Sequence, residues 1–166
     1  RRLLEIDGDT TTAEGPHRVV LPPGVMAELA ALLAPHFRRE ALDAGSSFLS
    51  RARADGSLRF SPKLHLVDDG LLPGGLRSAS FDDRGVGPVP LTLVRDGRVD
   101  GWYLDQAQAR RADVRPTGHA WGDALRPSNL ILRGGARSVN ALLSDQGVPV
   151  VVLDHVRGLA QGLDVV

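Results

Sequence analysis

The apolar residues of the N-terminal third recur at the spacing of a helix. Within GVMAELAALLAPHF they lie at i, i+3, i+4 and i+7 positions and therefore share one helical face. Pro22-Pro23 favour a helix start, because the first helical residue needs no N–H donor, and Pro35 predicts its end. The apolar positions are Val25, Met26, Leu29, Leu32 and Leu33.

Alternation with a period of two predicts strands in the middle of the chain. In PKLHLVDD, Leu64 and Leu66 alternate with Lys63 and His65, which is typical of a half-buried strand. The GLLPGGLRS segment that follows has the composition of a Gly/Pro loop.

The strongest local pattern is a hairpin. The apolar runs VPLTLV and RVDGWYL flank Asp96-Gly97, a pair that predicts a two-residue type I′ turn. On the first arm, one face carries Val89, Leu91 and Leu93.

Shorter patterns complete the secondary-structure prediction. They predict a strand within residues 17–24, a helix over 46–54 capped by Ser46 or Ser47, a helix capped by Asp105, a strand over 128–135, a helix ended by Gly147, and a buried β-branched strand over 148–156. We interpret residues 1–16, with a short strand at Leu3–Ile6, as a linker or tail, and residues 17–166 as a single domain. The irregular mixture of strands and helices predicts an α+β fold with a mixed or mostly antiparallel, barrel-like sheet and a few flanking helices.

Composition narrows the function classes. The formal net charge is zero, so no overall field attracts nucleic acid or an anionic membrane. The absence of cysteine excludes a thiol nucleophile and a thiolate metal site within this chain. No apolar run approaches the roughly 20 residues of a membrane span. The chain opens on Arg1-Arg2 without an initiator Met and closes on LDVV, which predicts a piece of a larger protein.

Familiar catalytic motifs are missing from the sequence. No two of the five histidines lie three or four residues apart, so there is no helical histidine pair for zinc. The nearest acids to two of them give the pairs His65–Asp68 and His119–Asp123, which we interpret as surface hydrogen bonds. The chain has no nucleophile elbow and no phosphate-binding loop.

Two adjacent acid pairs are the most suggestive feature. Asp68-Asp69 and Asp82-Asp83 flank the Gly-rich loop and could converge on a divalent cation such as calcium or magnesium. They could instead accept hydrogen bonds from backbone N–H groups of the loop, which is the ordinary role of Asp in turns. The residues favour this second, loop-ordering interpretation.

An ordered set of motifs resembles the TldD/PmbA family, whose members have also been called modulators of DNA gyrase. The set comprises SSFLSRARADGSLRFSPKLHLVDDGLLPGGLRSASFDDRGV, LTLVRDGRVDGWYLDQAQARR, TGHA, RPSNLIL and GVPVVVLDHVRGLAQGLD. The resemblance implies a cytoplasmic protein that works as a homodimer, or as a heterodimer with a TldD-type subunit, on a peptide substrate, without direct nucleic-acid or membrane binding. TldD-type subunits are zinc metallopeptidases with an H-E-x-x-x-H helix and a later cysteine, whereas the PmbA subunit, also named TldE, lacks these ligands.

This chain departs from the TldD pattern because it has neither the histidine helix nor a cysteine. The resemblance therefore assigns it no catalytic, cofactor or metal-binding residue, and zinc is expected only in a TldD-type partner or a missing segment. The metal candidates are the two Asp pairs. The loop or interface candidates are Gly74, Gly75, Phe81, Asp82, Asp83, Gly85, Ser128 and Asn129.

The leading hypothesis is a non-catalytic, TldE/PmbA-like domain or subunit of a TldD-type zinc metalloprotease system that processes or degrades peptides. One alternative is a stand-alone divalent-cation-dependent enzyme built on Asp68, Asp69, Asp82 and Asp83. Another is a peptide-binding module, in which an exposed strand edge pairs with an extended peptide.

Overall fold

The N-terminal part of the domain is helical. A computed structural model describes residues 18–50, 60–133, 135, 137–144 and 150–153. Helix α1 spans Pro23–Leu33, with Pro22 at its N-cap, as the proline pair predicts. A 3₁₀ helix at Ala34–Phe37 and a short helix α2 at Arg39–Asp43, which the sequence pattern did not predict, follow directly.

A four-stranded antiparallel sheet forms the centre. Its strands are β2 (Leu66–Asp68), β3 (Leu91–Arg95), β4 (Arg98–Val99) and β7 (Leu130–Leu132), in the order β4-β3-β2-β7. The chain between β2 and β3 is a long loop, and β2 lies between strands that are distant in sequence. The sheet therefore joins the Gly-rich loop to the segment before β7.

The β3–β4 connection is the predicted hairpin. Arg95 pairs with Arg98, and Asp96 and Gly97 have φ angles of 49° and 73°. Positive φ at both central residues is the conformation that a type I′ turn requires, so the prediction is confirmed.

A second hairpin was not predicted. Strands β5 (Ala120–Trp121) and β6 (Ala124–Leu125) pair antiparallel around Gly122, whose φ is 61°. Strands β1 (Arg18–Val20) and β8 (Val150–Val152) form a separate parallel pair. The valines of β8 are half-buried, so the prediction of a buried strand there is wrong in burial though correct in type.

Two further helices agree with their predicted caps. Helix α3 spans Gln106–Arg111, and the Asp105 carboxylate accepts a hydrogen bond from the Gln108 N–H at 2.7 Å in a capping box. Helix α4 spans Val139–Leu143 after its Ser138 cap. In the helix predicted over 46–54, Leu49 and Ser50 are helical and the Ser47 hydroxyl accepts from the Leu49 N–H at 3.1 Å, as a cap at Ser47 requires. Residues 51–54 of this helix, the strand at Leu3–Ile6 and the helix end at Gly147 lie outside the described residues.

One apolar core joins the helices to the sheet. Its buried members come from α1, the 3₁₀ helix, α2, the central sheet, the second hairpin and the segments around residues 49 and 103: Ala30, Phe37, Leu42, Leu49, Leu66, Leu93, Val94, Tyr103, Ala120 and Leu125. The protein is therefore α+β with mostly antiparallel sheets and few helices, as predicted, although the described strands do not close into a barrel. No helix among the described residues is both long and apolar enough to cross a bilayer.

Candidate functional site

A cluster of polar side chains is buried at the end of β2. Asp68, Tyr103 and His119 each have 0% of their surface exposed. The Tyr103 hydroxyl donates to Asp68 Oδ2 at 2.6 Å, and the Ser128 backbone N–H donates to both carboxylate oxygens, at 2.9 and 3.1 Å. His119 Nε2 lies 3.5 Å from Asp68 Oδ2, and the Tyr103 and His119 rings meet edge to face at 4.8 Å.

Backbone pairing brings these residues together. The antiparallel β2–β7 pair places the carboxylate of Asp68 beside Ser128, which precedes β7. Tyr103 is fixed by two backbone bonds, since its N–H donates to the Phe37 carbonyl at 2.9 Å and its carbonyl accepts from the Arg39 N–H at 3.1 Å. The cluster thus brings together four segments of the chain, those that hold Asp68, Tyr103, His119 and Ser128, around the Asp68 carboxylate.

The electrostatics of the cluster favour a neutral tyrosine. Burial, followed by the neighbouring Asp68 carboxylate, raises the pKa of Tyr103 well above its usual range, while nearby Arg38 opposes the shift. Arg38 Nε, both ring nitrogens of His119 and the Ser128 hydroxyl are buried without a hydrogen-bond partner among the described residues. Because Asp68, Tyr103 and His119 have no exposed surface, they cannot touch a substrate in this conformation.

The cluster corrects two sequence interpretations. His65–Asp68 and His119–Asp123 were interpreted as surface pairs, but Asp68 and His119 are buried and face each other. Asp123 is left on the surface, with 96% of its side chain exposed. Sequence proximity did not identify the contacts of these side chains, because the β2–β7 pairing and the β5–β6 hairpin determine which of them meet. A usable signal was the phase of Asp68, two residues after Leu66 on the buried face of the strand.

Asp82 organises the loop between β2 and β3. Its side chain is buried and accepts three backbone hydrogen bonds: from Arg84 at 3.0 Å, Val86 at 2.9 Å and Ala120 at 2.9 Å. The first two close a turn within the loop, and the third joins the loop to β5. Asp82 therefore acts here as a hydrogen-bond acceptor for the backbone.

Asp83 makes a related but more exposed connection. Its carboxylate accepts from the Gly122 N–H at 2.6 Å, and its own N–H donates to the Ala120 carbonyl at 3.0 Å. Gly85 closes the local turn with a φ of 74°. Both members of this acid pair are thus directed at the β5–β6 hairpin.

The other acid pair diverges. Whereas Asp68 enters the buried cluster, Asp69 Oδ1 accepts from the Leu71 N–H at 2.9 Å. Asn129 then fastens the loop: its Nδ2 donates to the Asp69 carbonyl at 2.8 Å and to the Ser78 hydroxyl at 2.9 Å, and its Oδ1 accepts from the Arg77 N–H at 3.0 Å.

Glycines allow the loop to pack closely against Asn129, and the outer surface of the loop is apolar. A Cβ on Gly75 would lie 2.7 Å from Asn129 Nδ2, which only glycine avoids, and Gly74 has a φ of 72°. Beside them Leu76 is fully exposed, at 102% of its reference surface, and Phe81 is also exposed. The loop is held from beneath and presents large apolar side chains outward.

The described residues offer no donor set for zinc, which the family resemblance places in a TldD-type partner or a missing segment. Within the described ranges no three His, Cys, Asp or Glu side chains lie together as possible metal ligands. The chain has no cysteine, and the carboxylates of Asp68, Asp69, Asp82 and Asp83 all accept hydrogen bonds from backbone N–H groups.

Comparisons with solved structures support this fold. A proposed modulator of a DNA gyrase from Thermotoga maritima is 27% identical, with a TM-score of 0.70 over 81% of this chain and 31% of that chain. TldE from Thermococcus kodakarensis is 23% identical, with a TM-score of 0.66 over 81% of this chain and 32% of that one. This second likeness shows the fold alone.

Sequence comparisons agree. Metalloprotease PmbA of Escherichia coli O157:H7 is 32% identical over 94 residues, which are 52% of this chain and 21% of that protein. The chain thus spans about a fifth of the length of this relative and about a third of each solved structure. The family model described as the PmbA/TldA metallopeptidase C-terminal domain matches residues 14–163. The chain belongs to the TldD/PmbA family of metallopeptidase-related proteins.

Proposed function

We propose that this chain is a non-catalytic domain of a cytoplasmic TldD/PmbA-type assembly that processes peptides. Its role is to serve as a scaffold of the assembly and to form a contact between subunits. Zinc binding and peptide hydrolysis belong to a TldD-type partner or segment. The chain contributes position and binding surface, and no proton transfer or metal ligation is assigned to it.

The main support for this proposal is that the carboxylates of the two acid pairs already accept hydrogen bonds within the chain. A hard cation needs about six oxygen ligands, and Asp carboxylates supply them only when their lone pairs are available. Asp82 already accepts three backbone bonds and Asp68 accepts from Tyr103 and from Ser128. Recruiting them to a metal would release buried N–H groups, each at a cost of about 1–3 kcal/mol.

A second observation favours the contact role. The loop between β2 and β3 is fastened by Asp69, Asp82 and Asn129, yet it carries exposed Leu76 and Phe81. A fixed loop loses little conformational entropy on binding, and apolar side chains on such a loop are typical anchors of a protein contact. This supports a partner subunit as the ligand of the loop.

Metal analysis of the purified chain tests the proposal. We expect no stoichiometric zinc after purification, and no rise in the unfolding temperature with millimolar calcium, magnesium or zinc, because a ligand of the native state must stabilise it. Asp69→Asn serves as a matched control, since it removes one candidate ligand while leaving the buried cluster intact. Tightly bound zinc, or a metal-dependent rise that Asp69→Asn abolishes, would contradict the non-catalytic role and favour the cation-dependent enzyme.

A further inference from the structure

An open cavity of about 320 Å³ lies between the loop and the β5–β6 hairpin. This volume is at the lower end of the range for small-ligand pockets. It is separate from the buried polar cluster. Its lining residues are Arg77, Ser78, Ala79, Trp121, Arg126 and Pro127.

The cavity is positively charged. Two arginines line it, and none of the described residues that line it is acidic. Among the described residues, Arg77 Nη1 makes a long bond of 3.4 Å to the Pro127 carbonyl. Arg126 Nη2 lies 3.8 Å from Asp123 Oδ1, but the Asp123 side chain is 96% exposed, so water screens this pair and it contributes little. Both guanidinium groups thus keep donors for a ligand.

The arginines are attached to fixed backbone. The Arg77 N–H donates to Asn129 Oδ1 at 3.0 Å, and the Arg126 N–H donates to the His119 carbonyl at 2.9 Å. Asn129 is the same residue that fastens the loop, and His119 belongs to the buried cluster. The two side chains therefore begin from positions that the core sets, which reduces the entropy lost when they bind a ligand.

The remaining walls are apolar. Ala79, the half-buried Trp121 ring and the Pro127 ring lie beside the arginines. A carboxylate next to an apolar group would match both parts of the cavity, because guanidinium pairs with carboxylate through parallel hydrogen bonds and the rings bury apolar surface. Free inorganic phosphate matches only the charged part.

We propose that this cavity binds a carboxylate of a polypeptide, with the adjoining apolar side chain against Trp121 and Pro127. The inference rests on the proposed function only in taking a polypeptide as the ligand. The carboxylate can come from a peptide C-terminus or from an acidic side chain, and both sources share the chemistry of the site.

Nuclear magnetic resonance of the whole 166-residue chain tests the site directly. The chain has two tryptophans, so the indole N–H of Trp121 reports the cavity and that of Trp102 is an internal control. The probes are acetyl-Ala-Leu-Leu with a free C-terminal carboxylate, its C-terminal amide, and acetyl-Leu-Glu-Leu amide. We expect the free-acid peptide, the Glu peptide or both to shift Trp121 in a saturable, salt-sensitive way, and the neutral amide to have no such effect.

Variants identify the groups responsible. Arg77→Gln and Arg126→Gln should each weaken binding about fivefold, the scale of a half-exposed ion pair, and the double variant should weaken it about 25-fold. Arg98→Gln, an exposed arginine outside the cavity, is the matched control and should leave binding unchanged. Unfolding temperatures confirm that each variant is folded, and Arg77→Lys should retain part of the binding because it keeps the charge.

Several results would overturn the proposal. These are equal shifts from the acid and amide peptides, no Trp121 shift at millimolar peptide, displacement of the peptide by equimolar inorganic phosphate, or an equal effect of Arg98→Gln. None of these results would change the outcome of the metal measurements, so failure of the carboxylate site and failure of the non-catalytic role are distinguishable. Comparison of the free-acid and Glu peptides identifies the source of the carboxylate.

Discussion

At the scale of single residues, Asp82 and Asp83 show how neighbours in sequence acquire different roles. Asp82 is buried and accepts three backbone bonds, whereas Asp83 is exposed and its side chain accepts one. The turn preference of Asp indicated hydrogen bonding to the backbone, but it could not rank the two. Their ranking depends on Ala120, which lies far along the chain and reaches Asp82 only in the fold.

Asparagine substitutions should separate these two residues. In Asp82→Asn one carboxylate oxygen becomes an NH₂ group, which cannot accept from a backbone N–H, so we expect a loss of about 2–3 kcal/mol in the free energy of unfolding. Asp83→Asn should cost no more than about 1 kcal/mol, because its single bond is exposed and the amide oxygen can retain it. Chemical denaturation of both variants checks the difference. Equal losses would contradict the assignment of Asp82 as the loop's main acceptor.

Tyr103 gives a pH prediction with a unique reporter. It is the only tyrosine, and burial together with Asp68 raises its pKa far above the unfolded value of about 10. Above that pH the unfolded chain releases a proton that the native state keeps, so stability is present below it and falls as the pH rises. Ultraviolet absorbance should show tyrosinate only when circular dichroism shows unfolding.

The control for this prediction is Tyr103→Phe. It removes the hydroxyl from Asp68 and should cost about 1.5–3 kcal/mol at neutral pH, since the bond is to a charged acceptor. The variant should also lose the part of the alkaline destabilisation that comes from this residue. Formation of tyrosinate near pH 10 in a protein that is still folded would show that Tyr103 is accessible and that the buried cluster is incorrectly described.

At the scale of elements, local chemistry predicted the pieces that carry their own signal. Asp96-Gly97 specified the turn and Asp105 specified the start of α3, because each side chain or φ angle acts within a few residues. The β5–β6 hairpin was missed since two-residue strands around Gly122 leave too short a pattern. Its position depends instead on Asp82 and Asp83, which hold it from the loop.

Glycine substitutions separate backbone strain from crowding in these turns. Gly97 has a φ of 73°, and a Cβ there would meet the Phe60 carbonyl oxygen and lie 2.6 Å from that of Ser61. Gly45 has a φ of 69° but nothing within 4 Å, which makes it the matched control. Thermal or chemical denaturation should show a loss of about 1 kcal/mol for Gly45→Ala from left-handed strain alone.

Gly97→Ala should lower the free energy of unfolding by at least about 3 kcal/mol. The new Cβ introduces the same left-handed strain and, in addition, displaces the segment that holds Phe60. That segment also bonds the turn directly, as the Phe60 N–H donates to the Gly97 carbonyl at 2.9 Å. If the alanine variants at Gly97 and Gly45 lost similar free energy, crowding by the 60–61 segment would not be a constraint on the hairpin.

At the scale of the whole molecule, the polar cluster explains why the site could not be derived from motifs. Asp68, Tyr103, His119 and Ser128 lie 9 to 60 residues from one another along the chain, and only tertiary pairing brings them together. The family resemblance identified the fold and the loop without identifying this cluster. It also marked Phe81 as an interface candidate, and the structure places that side chain in an exposed position.

The exposed loop gives the last prediction, which concerns assembly. Leu76 is fully exposed in the described part of the chain, so Leu76→Ser should leave the free energy of unfolding of the isolated chain within about 0.5 kcal/mol. If Leu76 is an anchor, the same change should weaken association with a co-expressed TldD-type subunit, or with a second copy of this chain, by about tenfold or more, the loss typical of an interface residue above 1 kcal/mol. Sedimentation velocity over a concentration series measures this loss.

Val114→Ser is the matched control for that experiment. Val114 is also an exposed apolar residue, at 52% of its reference surface, but it follows α3 rather than lying on the loop. A general reduction of surface hydrophobicity would weaken association in both variants, whereas a specific contact through the loop affects only Leu76→Ser. Unchanged association of Leu76→Ser, or an equal loss in Val114→Ser, would contradict the loop as the subunit contact. In either case the exposed leucine on this fixed loop would not be the anchor of a partner.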